Sequence, residues 1–350
     1  MKQPIRNPKP RAAGFSLVEL LVGIVVAMAA IIVVMQVFRI SEGQRRSTTG
    51  TDDAQTSGAV ALTLMQRDLR QAGQGFMSAQ LLGCSLALGN GQTLATLAPV
   101  IINPAGIPAG DSKTDVLLVA YGSGWGAPEG SLIAIQPGPA TYAVPSSMSY
   151  QVGDRIIATP QTRASPCSLN LTNISQQPTT TDVTVALGLA SAANGILFNL
   201  GRTPRFNVYA VRSGKLTLCD YLTQDCTSTD AKNWTELSEG IVSLRAQYAR
   251  DTSLPNRDAA ADTFDQSTPA TFCGWGRIVG VRVAMVARGR QPEKTDVTAA
   301  APTWSGSAST PIELTGSDWK LYRYKTFDTT VPLRNTPLAA DTNFLTCTPP

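Results

Sequence analysis

Hydrophobic and polar positions divide the chain into three regimes. Residues 15–38 read FSLVELLVGIVVAMAAIIVVMQVF, and Leu20 to Met35 is apolar or glycine throughout. As a helix this run is about 36 Å long, against a hydrocarbon core of about 30 Å, so it predicts a transmembrane helix. From Arg39 to Phe76 the chain turns polar and amphipathic. In ALTLMQRDLRQAG, the residues Leu62, Met65, Leu69 and Ala72 recur at spacings of three, four and three, one face of a helix. Gly73 and Gly75 supply a stop signal. Between these parts, GQRRSTTGTDDAQTSG holds Gly43, Gly50 and Gly58 among many Ser and Thr residues. Poor helix formers there predict that the helix loosens or breaks across 43–58.

Beyond residue 76 the period changes. TDVLLVAYG, DRIIATP, DVTVALG, RFNVYAV, KLTLCDY, IVSLRAQYA and RIVGVRVAMVARG are β-branched or alternating runs separated by Gly, Pro and Asn clusters, which predicts strands. Ser213-Gly214 joins two of them at hairpin spacing. IVGVRVAMVA also fits a buried helix, but its valines favour a strand. SLNLTNISQQPTTTD reads as an exposed loop, and no internal repeat or boundary interrupts 77–350. The fold class is α+β: a long N-terminal helix packed on one large β-rich domain.

Charge sharpens the reading of the N-terminus. Lys2, Arg6, Lys9 and Arg11 precede the apolar run without an acid, and the other 25 of the 29 basic residues balance 25 acidic ones. The balanced remainder gives no phosphate-binding surface, so a direct nucleic-acid partner is not expected. The basic residues ahead of the span predict a cytoplasmic N-terminus and a translocated remainder. A cleaved secretory signal fits poorly, because its apolar core is shorter, about 7 to 15 residues, and ends in a small-residue site missing here. The chain has no histidine. That excludes Ser-His-Asp and Cys-His catalysis and HExxH zinc sites built from this chain alone.

Glu19 is the anomaly, since a carboxylate inside a span costs about 2.5–3.5 kcal/mol and such groups usually have a partner. GFSLVELLVGI, with its short basic leader, resembles the processing motif of type IV prepilins and pseudopilins. The resemblance implies a leader of residues 1–14, cut between Gly14 and Phe15 by a prepilin peptidase that also methylates the new N-terminal Phe15. Glu19 is then the fifth residue of the mature chain, the acid that meets a neighbouring α-amine during assembly. Pairing a buried carboxylate with a buried ammonium offsets much of the cost each carries alone. In related systems the subunit at the extreme tip commonly lacks this acid, so Glu19 implies a place just below the tip.

The resemblance narrows further along. LMQRDLRQAG is similar to a segment of PilW-type minor pilins, in which Asp-Leu-Arg and Ala-Gly close the N-terminal helix. LSEGIVSLRAQYARD and YRYKTFDTTVPLRN also look like that family, the latter ending in its signature at Leu333, Arg334 and Asn335. Gln74 departs from the aromatic that commonly follows Ala-Gly. The resemblance implies a pilin-like fold with a leader at 1–14, a span at 15–38, a helical continuation at 39–76 and a periplasmic domain at 77–350. It also implies a non-enzymatic role: joining other minor pilins and the major pilin to prime type IV pilus assembly with the inner-membrane machinery, at or near the tip and beside a tip adhesin. The J-type minor pseudopilin of type II secretion is the alternative within the superfamily. A membrane-anchored periplasmic binding protein or hydrolase is the alternative outside it.

Other candidate chemistry is sparse. Asp251, Asp258, Asp262 and Asp265 offer calcium-type oxygen ligands without EF-hand spacing or its central glycine, so a solvated loop is expected, with no metal and no cofactor. Trp125, Trp234, Trp275, Trp304 and Trp319 are expected mostly in the core. An even count of six cysteines suits an oxidising compartment. Cys219 and Cys226 bracket DYLTQD after a predicted strand, and so short a loop closes cheaply, which favours their pairing. Cys84, Cys167, Cys273 and Cys347 then have three possible pairings.

Overall fold

The computed structural model describes residues 16–124, 126–253, 257–306, 312–314, 316–335 and 347. It divides into two compact units, residues 1–49 and 50–350. In the first, helix α1 (Leu17–Gln71) begins, and every large apolar side chain from Leu17 to Ile40 is exposed. Exposure of so many aliphatic groups has no counterpart in a water-soluble surface, where large contiguous apolar patches mark interaction or membrane sites.

The expected loosening across 43–58 is not found: α1 is assigned as one helix to Gln71. Tertiary packing overrides propensity in the second unit. Gly50 and Gly58 are both buried. The Gly289 backbone lies against Gly50, so that a Cβ on Gly289 would come within 2.7 Å of the Gly50 carbonyl oxygen. A Cβ on Gly58 would come within 2.0 Å of the Phe327 ring. A helix glycine costs about 1 kcal/mol in propensity, and at Gly58 the close approach of Phe327 offsets it, whereas a Cβ on Gly50 would meet nothing within 4 Å. Thr48 and Thr63 donate their hydroxyl protons to the carbonyls of Gln44 and Ala59, at 3.0 and 2.8 Å, so their polar groups are satisfied within the helix. Gly43 has no such packing reason.

The strands follow in chain order. The first nine are β1 (Ser85–Ala87), β2 (Thr93–Leu94), β3 (Val100–Ile102), β4 (Leu117–Tyr121), β5 (Ser131–Leu132), β6 (Ile135–Gly138), β7 (Thr141–Ala143), β8 (Arg155–Ala158) and β9 (Ser168–Asn173). The rest are β10 (Asp182–Thr184), β11 (Ile196–Gly201), β12 (Arg205–Arg212), β13 (Lys215–Asp220), β14 (Thr235–Glu239), β15 (Ile241–Arg250), β16 (Thr263–Asp265), β17 (Ile278–Arg288) and β18 (Tyr324–Pro332). They form four sheets, ordered β2-β1-β9-β8-β11-β5, β10-β7-β6, β14-β13-β12-β4-β3 and β16-β15-β17-β18.

The last two sheets cradle the helix. Ala61, Met65, Leu69 and Ala72 of α1 are fully buried with Val119, Val208, Leu244 and Met285 in the main core. A seam joins the sheets: Ile102 N–H donates to the Tyr248 hydroxyl at 2.8 Å, and Asp115 accepts from Ala246 N–H at 3.0 Å. The valine-rich run at 278–288 is strand β17, paired with β15 and β18 on its two edges. Ser213 and Gly214 turn the β12–β13 hairpin at φ 52° and 70°, positive φ at both corners as a type I′ turn requires. A second, smaller core gathers Ile133, Tyr142, Tyr150, Ile156, Val183 and Leu197.

The segment expected as an exposed loop, 168–182, instead supplies β9, which pairs with β1 and β8. Its signal is the alternation of Ser168, Leu169, Asn170 and Leu171, of which only the leucines are buried. Polar outward residues hid a half-buried strand. All six cysteines are paired, as Cys84–Cys167, Cys219–Cys226 and Cys273–Cys347.

Two outcomes test this packing. Gly58→Ala should lower stability by about 1–3 kcal/mol through overpacking against Phe327, and should cost far less in a Phe327→Ala background. Urea midpoints of the four proteins measure it, and an equal cost in both backgrounds contradicts the contact. The second outcome concerns pH. Burial pushes the hydroxyls of Tyr150 and Tyr248 up to about 12. An unfolded tyrosine ionises near pH 10, so above that pH the unfolded state binds fewer protons than the folded one. Stability present below pH 10 should fall between pH 10 and 12 by about 1.4 kcal/mol per unit for each of the two. Chemical denaturation at pH 9 and 11, with tyrosinate absorbance as a second readout, checks the sign.

Candidate functional site

Glu19 lies in the first turn of α1, where Leu20 N–H donates to the Ser16 carbonyl at 3.1 Å. It is the single charged residue between Arg11 and Arg39. A carboxylate in a first turn is favoured by the helix dipole, and its acceptor oxygens suit a cationic nitrogen. The side chain is exposed, as are its aliphatic neighbours. Gly14 and Phe15 lie outside the described residues. From Leu17 to Met35, Glu19 is the one polar side chain on an otherwise apolar stretch of helix.

The other end of α1 is held by polar contacts inside the core. Asp68, 8% exposed, accepts from the Tyr121 hydroxyl at 3.0 Å, the Asn207 amide at 2.6 Å and the Tyr209 hydroxyl at 2.6 Å. Tyr121 ends β4, while Asn207 and Tyr209 alternate along β12, so the two strands present their donors together. Burial, followed by the Asp68 carboxylate, pushes both tyrosine hydroxyls well above their ordinary range, keeping them protonated as donors.

The helix then ends by backbone geometry. Gly73 has φ +83° and donates its N–H to the Ala120 carbonyl at 2.9 Å. The Asn335 side-chain amide donates to the carbonyls of Gln71 and Ala72, each at 3.1 Å, two of the acceptors a helix C-terminus leaves open. A Cβ at Gly73 would sit 2.7 Å from the Met77 sulfur and 2.9 Å from the backbone oxygen of Asn335, so only a glycine fits there. Two motifs of the sequence, RDLRQAG and PLRN, thus meet at one place. Their cooperation was not legible from spacing, and the partners Tyr121, Asn207 and Tyr209 carry no signal beyond being polar residues inside apolar strands.

The remaining candidate chemistry resolves into scaffolding. Asp251 is not solvated as expected but fully buried, accepting the backbone N–H groups of Ser253 and Ala259 at 3.0 and 2.8 Å. Backbone amides of its own loop turn onto it, which residue spacing did not reveal. Asp258 caps Ala260 N–H at 2.9 Å, Asp262 accepts from Thr252 N–H at 2.6 Å, and Asp265 pairs with Arg250 at 2.6 Å. Among the described residues no three His, Cys, Asp or Glu side chains gather into a metal-ligand set. Trp234 lies under the Arg212 guanidinium, 3.9 Å from its ring centre, and buried Trp275 meets Tyr248 edge-on at 5.8 Å. Trp304 is also buried, Trp319 half-buried, and Trp125 lies outside the described residues. Cys219 and Cys226 are bonded to each other beneath the β13 turn and have no free thiol for chemistry.

Comparison with known proteins places these contacts. A type IV-like pilin from Thermus thermophilus aligns over 82% of this chain and 97% of its own, at 10% identity and a TM-score of 0.31. No curated protein matches the chain. Residues 206–335 match the family model of PilW, type IV pilus-assembly protein W. That span begins beside Asn207 and Tyr209 and ends on Asn335, so it contains most of what holds the end of α1. Over residues 206–335 this chain is thus a match to PilW, the family its motifs resemble.

Proposed function

We propose that this chain is a bitopic minor pilin that joins other minor pilins at the inner membrane to prime type IV pilus assembly, and then sits just below the pilus tip. The observation that carries the reading is the pairing of two features in one chain. One is an exposed apolar helix whose run from Leu17 to Met35 is interrupted only by Glu19; the other is the PilW match that ends on the residue capping the same helix. The leader 1–14 is removed between Gly14 and Phe15 by a prepilin peptidase, Phe15 is N-methylated, and the β-rich domain faces the periplasm. The buried carboxylates are occupied in holding the fold together, which supports a structural role over catalysis.

Glu19 acts in assembly. Near the cytoplasmic end of the span it stays hydrated in the lone subunit. Docked beside another helix, it meets that helix's α-ammonium group. The ion pair forms only at one vertical offset, so it selects register between subunits.

Glu19→Leu removes the acid and eases insertion. It should leave the mature mass at that of residues 15–350 with one added methyl group, while lowering surface pili and recovery of partner pilins from membranes severalfold. Intact-mass measurement and pilus counts at matched expression test both halves. An uncut wild-type chain in cells with active peptidase contradicts the pilin reading. Normal piliation in the Leu variant contradicts the role of Glu19. Gene deletion that stops type II secretion and spares pili assigns the chain to the pseudopilins instead.

A further inference from the structure

Residues 122–204 form an insertion. Strands β3, β4, β12, β13 and β14 lie side by side in that order, each antiparallel to the next. Tyr121, at the end of β4, pairs directly with Arg205 at the start of β12. A tight turn could join two such strands. The chain instead leaves the sheet, builds the second core around Tyr142, Tyr150, Val183 and Leu197, and returns just before the segment that matches PilW.

The surface of this insertion is unlike the rest of the chain. Residues 130–153 and 183–201 contain no Asp, Glu, Lys or Arg, although these make up 15% of the chain. Among the described residues beyond the first unit, Val60 and Leu64 of α1 are exposed large aliphatics. The others are Leu132, Ile135, Met148, Val152 and Leu187, and all five fall in the two uncharged segments. Three of them belong to one strip. Beside Ile135, the Gln136 amide donates to the Leu189 carbonyl at 2.8 Å, and its oxygen accepts from Ala192 N–H at 2.8 Å. Gly188 lies so near Pro139 that a Cβ would come within 1.9 Å of the Pro139 carbonyl oxygen. Segment 132–139 is thus tied to 187–192, with Leu132, Ile135 and Leu187 at 53%, 62% and 60% exposure. Pro137, Pro139 and Ala190 are exposed with them.

We propose that this strip is a docking surface for another protein, which meets it with an apolar face carrying no charge. The strip itself dictates that chemistry. A charged group docked there would be stripped of water and would find no opposite charge in either segment, whereas aliphatic groups gain by leaving water on both sides. Nucleic acid, anionic lipid headgroups and charged peptides therefore fit it poorly. The strip also lies outside the strands that seat α1, so docking and helix anchorage use different parts of the chain. This goes beyond the minor-pilin reading and stands whether or not the chain enters a pilus.

The test places the photoreactive residue p-benzoylphenylalanine at position 135, 187 or 232 of the full chain in the cells that make it. Lys232, 76% exposed beside Asp230, is the control. Illumination should link positions 135 and 187 to one and the same other protein, at residues with uncharged neighbours, and should not link position 232 to it. Leu187→Asp should cut the yield from position 135 at least about tenfold, and Ile135→Asp the yield from position 187, since each would bury an unpaired carboxylate in the contact. Leu187→Met should leave the yield unchanged. Both side chains are exposed, so the urea midpoints of these variants should match the parent. The proposal is overturned if neither position links to another protein, or if the links run only to lipid or to a second copy of this chain. Links into charged stretches of the partner, or yields indifferent to both Asp variants, overturn it too.

Discussion

The fold depends on a carboxylate buried where the helix meets the sheet. Burying Asp68 without partners would cost several kcal/mol, and a helix carrying it would not dock. Two tyrosine hydroxyls and one amide meet it at hydrogen-bond distance, from two adjacent strands of one sheet. Such an acceptor is unforgiving. Apolar packing alone would let α1 slide or rotate by a turn at modest cost, whereas displacement of Asp68 leaves an acid and three donors unpaired in the core. The helix therefore has one position on the sheet.

The other helix contacts are consistent with that fixed point. Gly58 admits the Phe327 ring, Gly50 meets the Gly289 backbone, and Asn335 closes the final turn. Each is a close approach that works only in one register. Gly58, which looks like a weak point of an isolated helix, is a place where the sheet comes too near for a side chain. From Gly50 on, α1 is held by β-structure, while the large apolar side chains from Leu17 to Ile40 are exposed.

Most of the architecture was legible because it rests on local periodicity. The apolar run, the face of Met65 and Leu69 and the alternating strands follow from burial alone. Four things escaped. The helix continues through 43–58, where Gly58 packs on Phe327 and Gly50 on Gly289, residues more than two hundred positions away in sequence. Strand β9 was disguised because its solvent-facing positions are Ser168 and Asn170, residues equally at home in loops. The role of Asp68 was half visible, in a motif tied by resemblance to the end of the helix, but its donors are scattered from Tyr121 to Tyr209. Buried Asp251 was misread for the same reason, since spacing cannot tell a solvated acid from one enclosed by its own loop.

The most direct measurement of the central claim is a double-mutant cycle between Asp68 and Tyr209 in the full chain, read by equilibrium unfolding. Asp68→Ala should cost about 3 kcal/mol or more, since it strands two hydroxyls and an amide in the core. Tyr209→Phe alone should also destabilise, yet cost much less once Asp68 is alanine, giving a coupling of at least about 1.5 kcal/mol. Additive costs, or an Asp68→Ala protein as stable as the parent, would contradict the account that this carboxylate fixes the helix on the sheet.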